Sequence, residues 1–215
     1  DIDTSIQDSK GSNMNDSVFF LYMSNFLLIG GLPIIFFKQG QKNIRWLLTA
    51  LPFFVSALLL IAGYVGLVSS FQYQSYWQMQ TDIIATALGI SSNSLIAYTI
   101  GTHRVPLHLW HQDNDKSDHI VTYGPYQKIR HPFYTSFILT LIGTFVFFPH
   151  IISLLMSVYG IVGLIVTAHR EERNLQKQDT YYREYMKKTG RFIPKYFTSK
   201  SKSDINNITS DEISN

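Results

Sequence analysis

The chain has 215 residues, enough for one domain or a little more, and its 18 Lys+Arg against 15 Asp+Glu leave a net charge of only +3. That balance argues against nucleic acid as a partner, because the aromatic residues lie within apolar runs instead of alternating with Lys and Arg. With no Cys, this chain excludes a disulfide framework, a thiolate metal site, a cysteine nucleophile and S-palmitoylation, and no metal centre is expected.

A mean hydropathy of +0.04 is that of a soluble protein, but the mean conceals segregation. Ten of the 18 basic residues follow His169, whereas residues 133–168 contain no Asp, Glu, Lys or Arg. Crossing about 30 Å of hydrocarbon takes about 20 helical residues, so charge-free runs of that length are expected to be membrane spans. In chain order these are 18–37, 46–68, 83–101 and 133–168. The last is too long for one crossing and fits two, with Pro149-His150 as the turn between them. The run 83–101 is the weakest because Ser91 to Ser94 is polar; such small residues can face other helices instead of lipid.

The expected fold is therefore all-α: a polytopic integral membrane protein of about five transmembrane helices with a cytoplasmic C-terminal helix. Basic residues in alternate loops test it independently. One side receives Lys10 alone and the other receives the remaining seventeen, which places the N-terminus outside and the C-terminus in the cytoplasm. Residues 1–17 are a polar tail unlike the basic start of a signal peptide, 18–197 the membrane body, and 198–215 a tail with the composition of disorder. No internal repeat is present, and the oligomeric state is left open.

Two segments flank the long apolar hairpin and would emerge together at one membrane face. The first runs from His119 through Gly124-Pro125-Tyr126 to Arg130-His131-Pro132-Phe133-Tyr134. The second runs from His169-Arg170-Glu171-Glu172-Arg173 through Tyr181, Tyr182 and Tyr185 to Arg191-Phe192-Ile193-Pro194. Ordinary structural roles exist for each. Gly-Pro is a turn signal, Pro132 suits a first helical turn, and the acidic pair could be a solvated stretch of helix. Glu184 and Lys188 are spaced as an exposed i,i+4 pair, and the tyrosines could anchor an interfacial helix on anionic lipid.

Taken in order, Gly-Pro-Tyr-x-x-x-Arg-His-Pro-x-Tyr, two spans, Glu-Glu-x-x-Leu, Tyr-x-x-Tyr and Arg-Phe-Ile-Pro resemble the integral-membrane methyltransferases. That family includes isoprenylcysteine carboxyl methyltransferases and phospholipid N-methyltransferases. The resemblance covers roughly residues 119–194; upstream, 102–112 is only loosely similar. It implies S-adenosylmethionine bound at the cytoplasmic end of the helices without a Rossmann fold, and the chain has no Gly-x-Gly-x-x-Gly. The cofactor contacts it implies are Gln112 or its neighbour His111, His119, Val121, Tyr126, His131, Pro132, Phe133, Tyr134 and Glu171. These suit the ligand, since a carboxylate such as Glu171 can pair an ammonium and aromatic faces favour a sulfonium.

Methyl transfer is an in-line displacement in which alignment can supply up to roughly 7 to 11 kcal/mol. A carboxylate acceptor needs a cation, for which Arg170 is the candidate, whereas a protonated amine needs a base, for which Glu172 is the candidate. Isoprenylcysteine-type members are expected to carry an Arg one turn before the acidic pair. Here that turn reads Ile165-Val166-Thr167-Ala168, which shifts the expectation toward an amine lipid or another small lipophilic acceptor. An NADPH-dependent membrane reductase of sterol-reductase type and a non-catalytic membrane protein remain as alternatives.

Overall fold

A computed structural model describes residues 14–36, 44–71, 73–102, 121–178 and 180–195. Among them are six α-helices and no strand: α1 (Asp16–Phe36), α2 (Ile44–Tyr64), α3 (Ser75–Thr102), α4 (Pro132–Phe147), α5 (Ile151–Gln178) and α6 (Thr180–Lys188). A 3-10 turn, Gly124–Gln127, precedes α4. Gln112 and His119 lie outside the described residues, as do His111, most of the N-terminal tail and the tail 198–215.

Helix α4 is the centre of the bundle. It packs most extensively on α3, and also on α5, α1 and α2. Its 16 residues begin at Pro132, whose missing N–H costs nothing in a first turn, and ten of the 16 are buried. The expected break at Pro149-His150 is present. His150 Nδ1 accepts from the Ile152 amide (3.1 Å) while Ser153 Oγ accepts from the His150 amide (3.1 Å), a reciprocal cap that starts α5.

The distribution of polarity is inverted relative to a soluble bundle. Small polar residues share the interior with the apolar core: Asn25, Ser92, Thr99, Ser136, Thr140, Thr144 and Ser157 are all buried. Large apolar residues face outward, among them Leu27 (77% exposed) and Leu58 (67% exposed). Outward apolar faces suit lipid, and small interior residues let helices approach closely. Ser92 Oγ bonds the Ser136 carbonyl (2.9 Å) and Thr140 Oγ1 (2.8 Å), joining α3 to α4, and Ser157 Oγ bonds the Leu141 carbonyl (2.9 Å), joining α5 to α4. Within the polar stretch of α3, Ser92 and Asn93 thus turn to neighbouring helices, whereas Ser91 and Ser94 are exposed.

By length and composition two helices can cross a membrane, Tyr76–Thr102 and Ile151–Lys177; three are shorter apolar helices, Asp16–Gly31, Leu48–Tyr64 and Pro132–Phe147. Only 28% of the most apolar stretch in each long helix is buried, unlike the core helix of a soluble protein. Two boundaries differ from expectation. Helix α3 begins at Ser75 rather than after Asp82, because that single carboxylate is satisfied in place by Gln78 Nε2 (3.2 Å) and Asn15 Nδ2 (3.3 Å). Helix α5 continues as one rod ten residues past Ala168, so the acidic pair sits on the same helix as the preceding apolar run.

Close approach is strictest where α4 meets α1. Tyr22 donates to the Ala85 carbonyl (2.8 Å), and its hydroxyl occupies the space a Cβ on Gly143 would need. Gly143→Ala is expected to cost about 1 to 3 kcal/mol in a detergent unfolding titration, with part of the loss absent in a Tyr22→Phe background.

Candidate functional site

The two motif segments meet through backbone first. After the 3-10 turn, Ile129 forms an isolated parallel bridge with Gly190. The Arg130 amide donates to the Gly190 carbonyl (2.8 Å), the Gly190 amide to the Lys128 carbonyl (3.0 Å) and the His131 amide to the Arg191 carbonyl (3.1 Å). Position 190 must be glycine for this approach, since a Cβ would collide with the Ile193 carbonyl. The strap of residues 189–195 is also fixed to α4, where Thr135 Oγ1 donates to the Phe192 carbonyl (3.0 Å).

Glu172, fully buried, is the hub that this scaffold surrounds. Its Oε1 accepts from Arg130 Nε (2.8 Å) and lies 3.2 Å from His131 Nε2; its Oε2 accepts from Arg191 Nε (3.0 Å) and Nη2 (2.6 Å). Arg130 uses Nη1 to bond the carbonyls of Thr189 and Met186 (3.3 Å to the latter), a cation at the C-terminal end of α6. Burial opposes charge on Glu172, but the hydrogen bonds from His131, Arg191 and Arg130 outweigh it and hold the carboxyl well below the usual range.

Glu171, one residue earlier on α5, is in a different situation. Tyr134 donates to its Oε1 (2.7 Å), its Oε2 lies 3.6 Å from His131 Nδ1, and its side chain is 22% exposed. Burial, with a small addition from the Glu172 charge, overcomes the Tyr134 hydrogen bond and pushes its pKa up to about 7. The His131 ring stacks on Tyr134 with centroids 5.2 Å apart and planes 2° from parallel. Burial lowers the His131 pKa against the pull of Glu172, and the cations Arg130 and Arg191 lower it further.

The sequence-predicted residues are therefore sorted. His131, Tyr134, Glu171 and Glu172 come together. Pro132 and Phe133 are buried at the start of α4, Phe133 in the bundle core. Tyr126 lies at the edge, its carbonyl accepting from the Tyr185 hydroxyl (2.5 Å). Val121 is half-buried beside the turn. Arg170 is exposed and takes no part in the ion pairs among the described residues. The base role expected for Glu172 meets a carboxylate already engaged on both oxygens. Of the tyrosines read as interfacial anchors, Tyr182 and Tyr185 are buried and only Tyr181 faces outward. Glu184 pairs with Lys187 (2.7 Å) rather than Lys188, an exposed contact worth little. Arg130 and Arg191 lie within the sequence motifs but carried no assigned role, and Gly190 lies just outside them.

An apolar cavity of about 240 Å³ lies between α1 and α2, lined by Met23, Phe26, Phe53, Ala57 and Phe137. The Phe137 ring is 6.3 Å from that of Tyr134, so one wall of the cavity lies one helical turn from Tyr134. A larger, more open hollow near Asn15, Gln78 and Asp82 sits toward the opposite end of α3, away from this chemistry.

Residues 102–177 match the isoprenylcysteine carboxyl methyltransferase (ICMT) family. The match spans Arg130 to Tyr134, both apolar helices and the acidic pair, and it bears out the family resemblance seen in the motifs. The family is one of methyltransferases, named for the carboxyl group of isoprenylcysteine. No curated protein shows a significant match to the chain. The strap, α6 and the first two helices lie outside the ICMT match, so Arg191 reaches the hub from beyond it.

The two adjacent carboxylates predict opposite responses. Glu172 is charged when folded and protonates near pH 4.5 when unfolded, so its contribution is present above that value and lost on acidification. Glu171 keeps its proton to about pH 7 when folded, so stability falls as pH rises from 4.5 through 7. At pH 8, Glu172→Gln is expected to lower unfolding stability by about 3 to 5 kcal/mol by leaving buried arginines uncompensated. Glu171→Gln should raise it by roughly 1 to 3 kcal/mol.

Proposed function

We propose that this chain transfers a methyl group from S-adenosylmethionine to a lipophilic acceptor drawn from the bilayer, at the membrane face that carries its basic residues and that we assign to the cytoplasm. Five spans, with α4 sheltered by its neighbours, accompany this reading. The observation that carries it is the division between the two carboxylates. Glu172 is committed to two arginines and His131, while Glu171 is partly exposed and, among the described residues, accepts a hydrogen bond from Tyr134.

The donor set fits the amino-acid end of the cofactor. Glu171 would pair the ammonium, Tyr134 fixes the direction of that carboxylate, and the stacked His131 and Tyr134 rings offer a π surface to a cation. When bound, the cofactor supplies an electrophilic methyl on a sulfonium. The contacts expected from Gln112, His119 and Val121 complete this proposal. Glu172 serves it as an anchor that orients His131, rather than as a base, because a carboxylate with depressed proton affinity and no open lone pair is a poor proton acceptor.

The cavity walled in part by Phe137 supports an acceptor with an apolar chain, and alignment in a water-poor pocket would provide most of the rate. With the arginines of the hub committed to Glu172 and no arginine in 165–168, a small lipophilic acceptor is favoured over a prenylcysteine carboxylate, and a lipid amine would have to arrive as the free base because Glu172 does not take its proton.

Calorimetry on detergent-purified protein with S-adenosylhomocysteine and with NADPH tests the reading: binding of the first is expected, and binding of NADPH alone would sink it. Glu171→Gln should weaken S-adenosylhomocysteine at pH 8 by on the order of tenfold or more, as expected for a lost charge-assisted contact. Protonated Glu171 cannot pair an ammonium, so wild-type affinity should fall as pH drops below about 7, approaching tenfold per pH unit, and level off above pH 8. An affinity that is flat from pH 5.5 to 8 removes Glu171 from the ligand.

A further inference from the structure

Arg191 stands outside every role assigned so far. It is 22 residues from His169 in sequence and lies on the strap beyond α6, yet its guanidinium places two donors on one oxygen of a fully buried carboxylate. The backbone of the same residue is engaged separately, its carbonyl accepting from the His131 amide. Side chain and main chain of Arg191 thus hold two elements at once, Glu172 on α5 and the His131 amide at the start of α4.

We propose that Arg191 is a positioning residue: by holding Oε2 of Glu172 it keeps Oε1 turned to Arg130 and His131, and so fixes the ring that faces the ligand without touching the ligand itself. The inference rests on the reading of His131 and Glu171 as the ligand-facing pair. Glu172 must serve Arg130, His131 and Arg191 with two oxygens. Arg130 approaches one oxygen, Arg191 the other, and His131 shares the oxygen of Arg130. Without Arg191, Oε2 becomes a buried acceptor lacking its donor, and the contact that sets the rotation of the carboxylate is gone.

The groups facing His131 are few and fall on every element packed against it. Arg130 comes from its own loop, Glu171 and Glu172 from α5, the stacked Tyr134 from α4, and Arg191 with Phe192 from the strap. His169 lies behind Arg191, its Nδ1 3.4 Å from Nη2. Removing Arg191 deletes one of two cations that disfavour protonated imidazole and loosens a carboxylate that favours it. The lost cation and the freed, more basic carboxylate beside the ring both ease protonation, so His131 should take up a proton at higher pH.

The test uses the full-length protein in detergent. Histidine-selective NMR follows the imidazole titrations, with the His131 signal assigned by its loss in His131→Gln, and calorimetry follows S-adenosylhomocysteine. Arg191→Ala is expected to move the His131 midpoint upward and weaken ligand on the order of tenfold, with Arg191→Lys recovering part of both. A folded Arg191→Ala with either the His131 midpoint or the ligand affinity unmoved overturns the proposal, because Arg191 then does not position the ring that faces the ligand. Should the alanine variant fail to fold, Arg191→Gln carries the same two readouts, and an unmoved His131 midpoint there overturns the proposal equally. If wild-type protein binds no S-adenosylhomocysteine, the functional reading fails while the histidine titration still decides the role of Arg191.

Discussion

A fully buried carboxylate is the constraint on which the basic end of this molecule depends. Taking Glu172 out of water costs several kcal/mol unless donors replace the lost hydration, and no single partner suffices. Arg130, His131 and Arg191 supply those donors from two segments far apart in sequence. The cost of exposing or orphaning Glu172 therefore holds the loop before α4, the helix α5 and the strap after α6 in one arrangement. Arg130 extends the constraint by binding carbonyls at the end of α6, so a charge requirement at one atom orders a neighbouring helix.

The apolar part of the molecule solves a different problem by different means. Between helices that face lipid, hydrophobic burial discriminates little, and packing and interior hydrogen bonds decide the arrangement. Hydroxyls of Ser92, Thr140 and Ser157 and the close contact of Tyr22 with Gly143 give α4 its place. That placement matters to the site because His131 is the N-cap residue of α4 and Tyr134 lies in its first turn. The geometry of the acidic pair is thus inherited from a helix seated by small polar residues.

Much of this was legible in the sequence. The absence of charge over 133–168 pointed to the helical hairpin and its break at Pro149-His150, since a turn residue in a long apolar run has few other uses. The motif order pointed to the two segments and their family. What was not legible is which of two neighbouring glutamates is buried. Successive residues on a helix point about 100° apart, and only the position of α4 and the strap determines which one faces the arginines. The same reason hid Arg191, whose partner lies across a contact that no periodicity encodes. Helix α3 started early because one carboxylate, Asp82, found local partners, and a count of charges cannot see such compensation. Tyr182 and Tyr185 looked like surface anchors since tyrosine suits both a membrane interface and a half-polar interior.

The backbone bridge between Ile129 and Gly190 joins strands of chain on either side of the entire apolar hairpin, and contacts around it link residues 56 to 59 positions apart. Closing so long a loop costs entropy, and the cost is small only once its contents are already compact. The acidic pair can therefore acquire its partners only after both hairpin helices are threaded and docked. Assembly of the ion network reports correct docking of the hairpin, and a chain arrested with either helix misplaced would carry every motif residue and yet have no site.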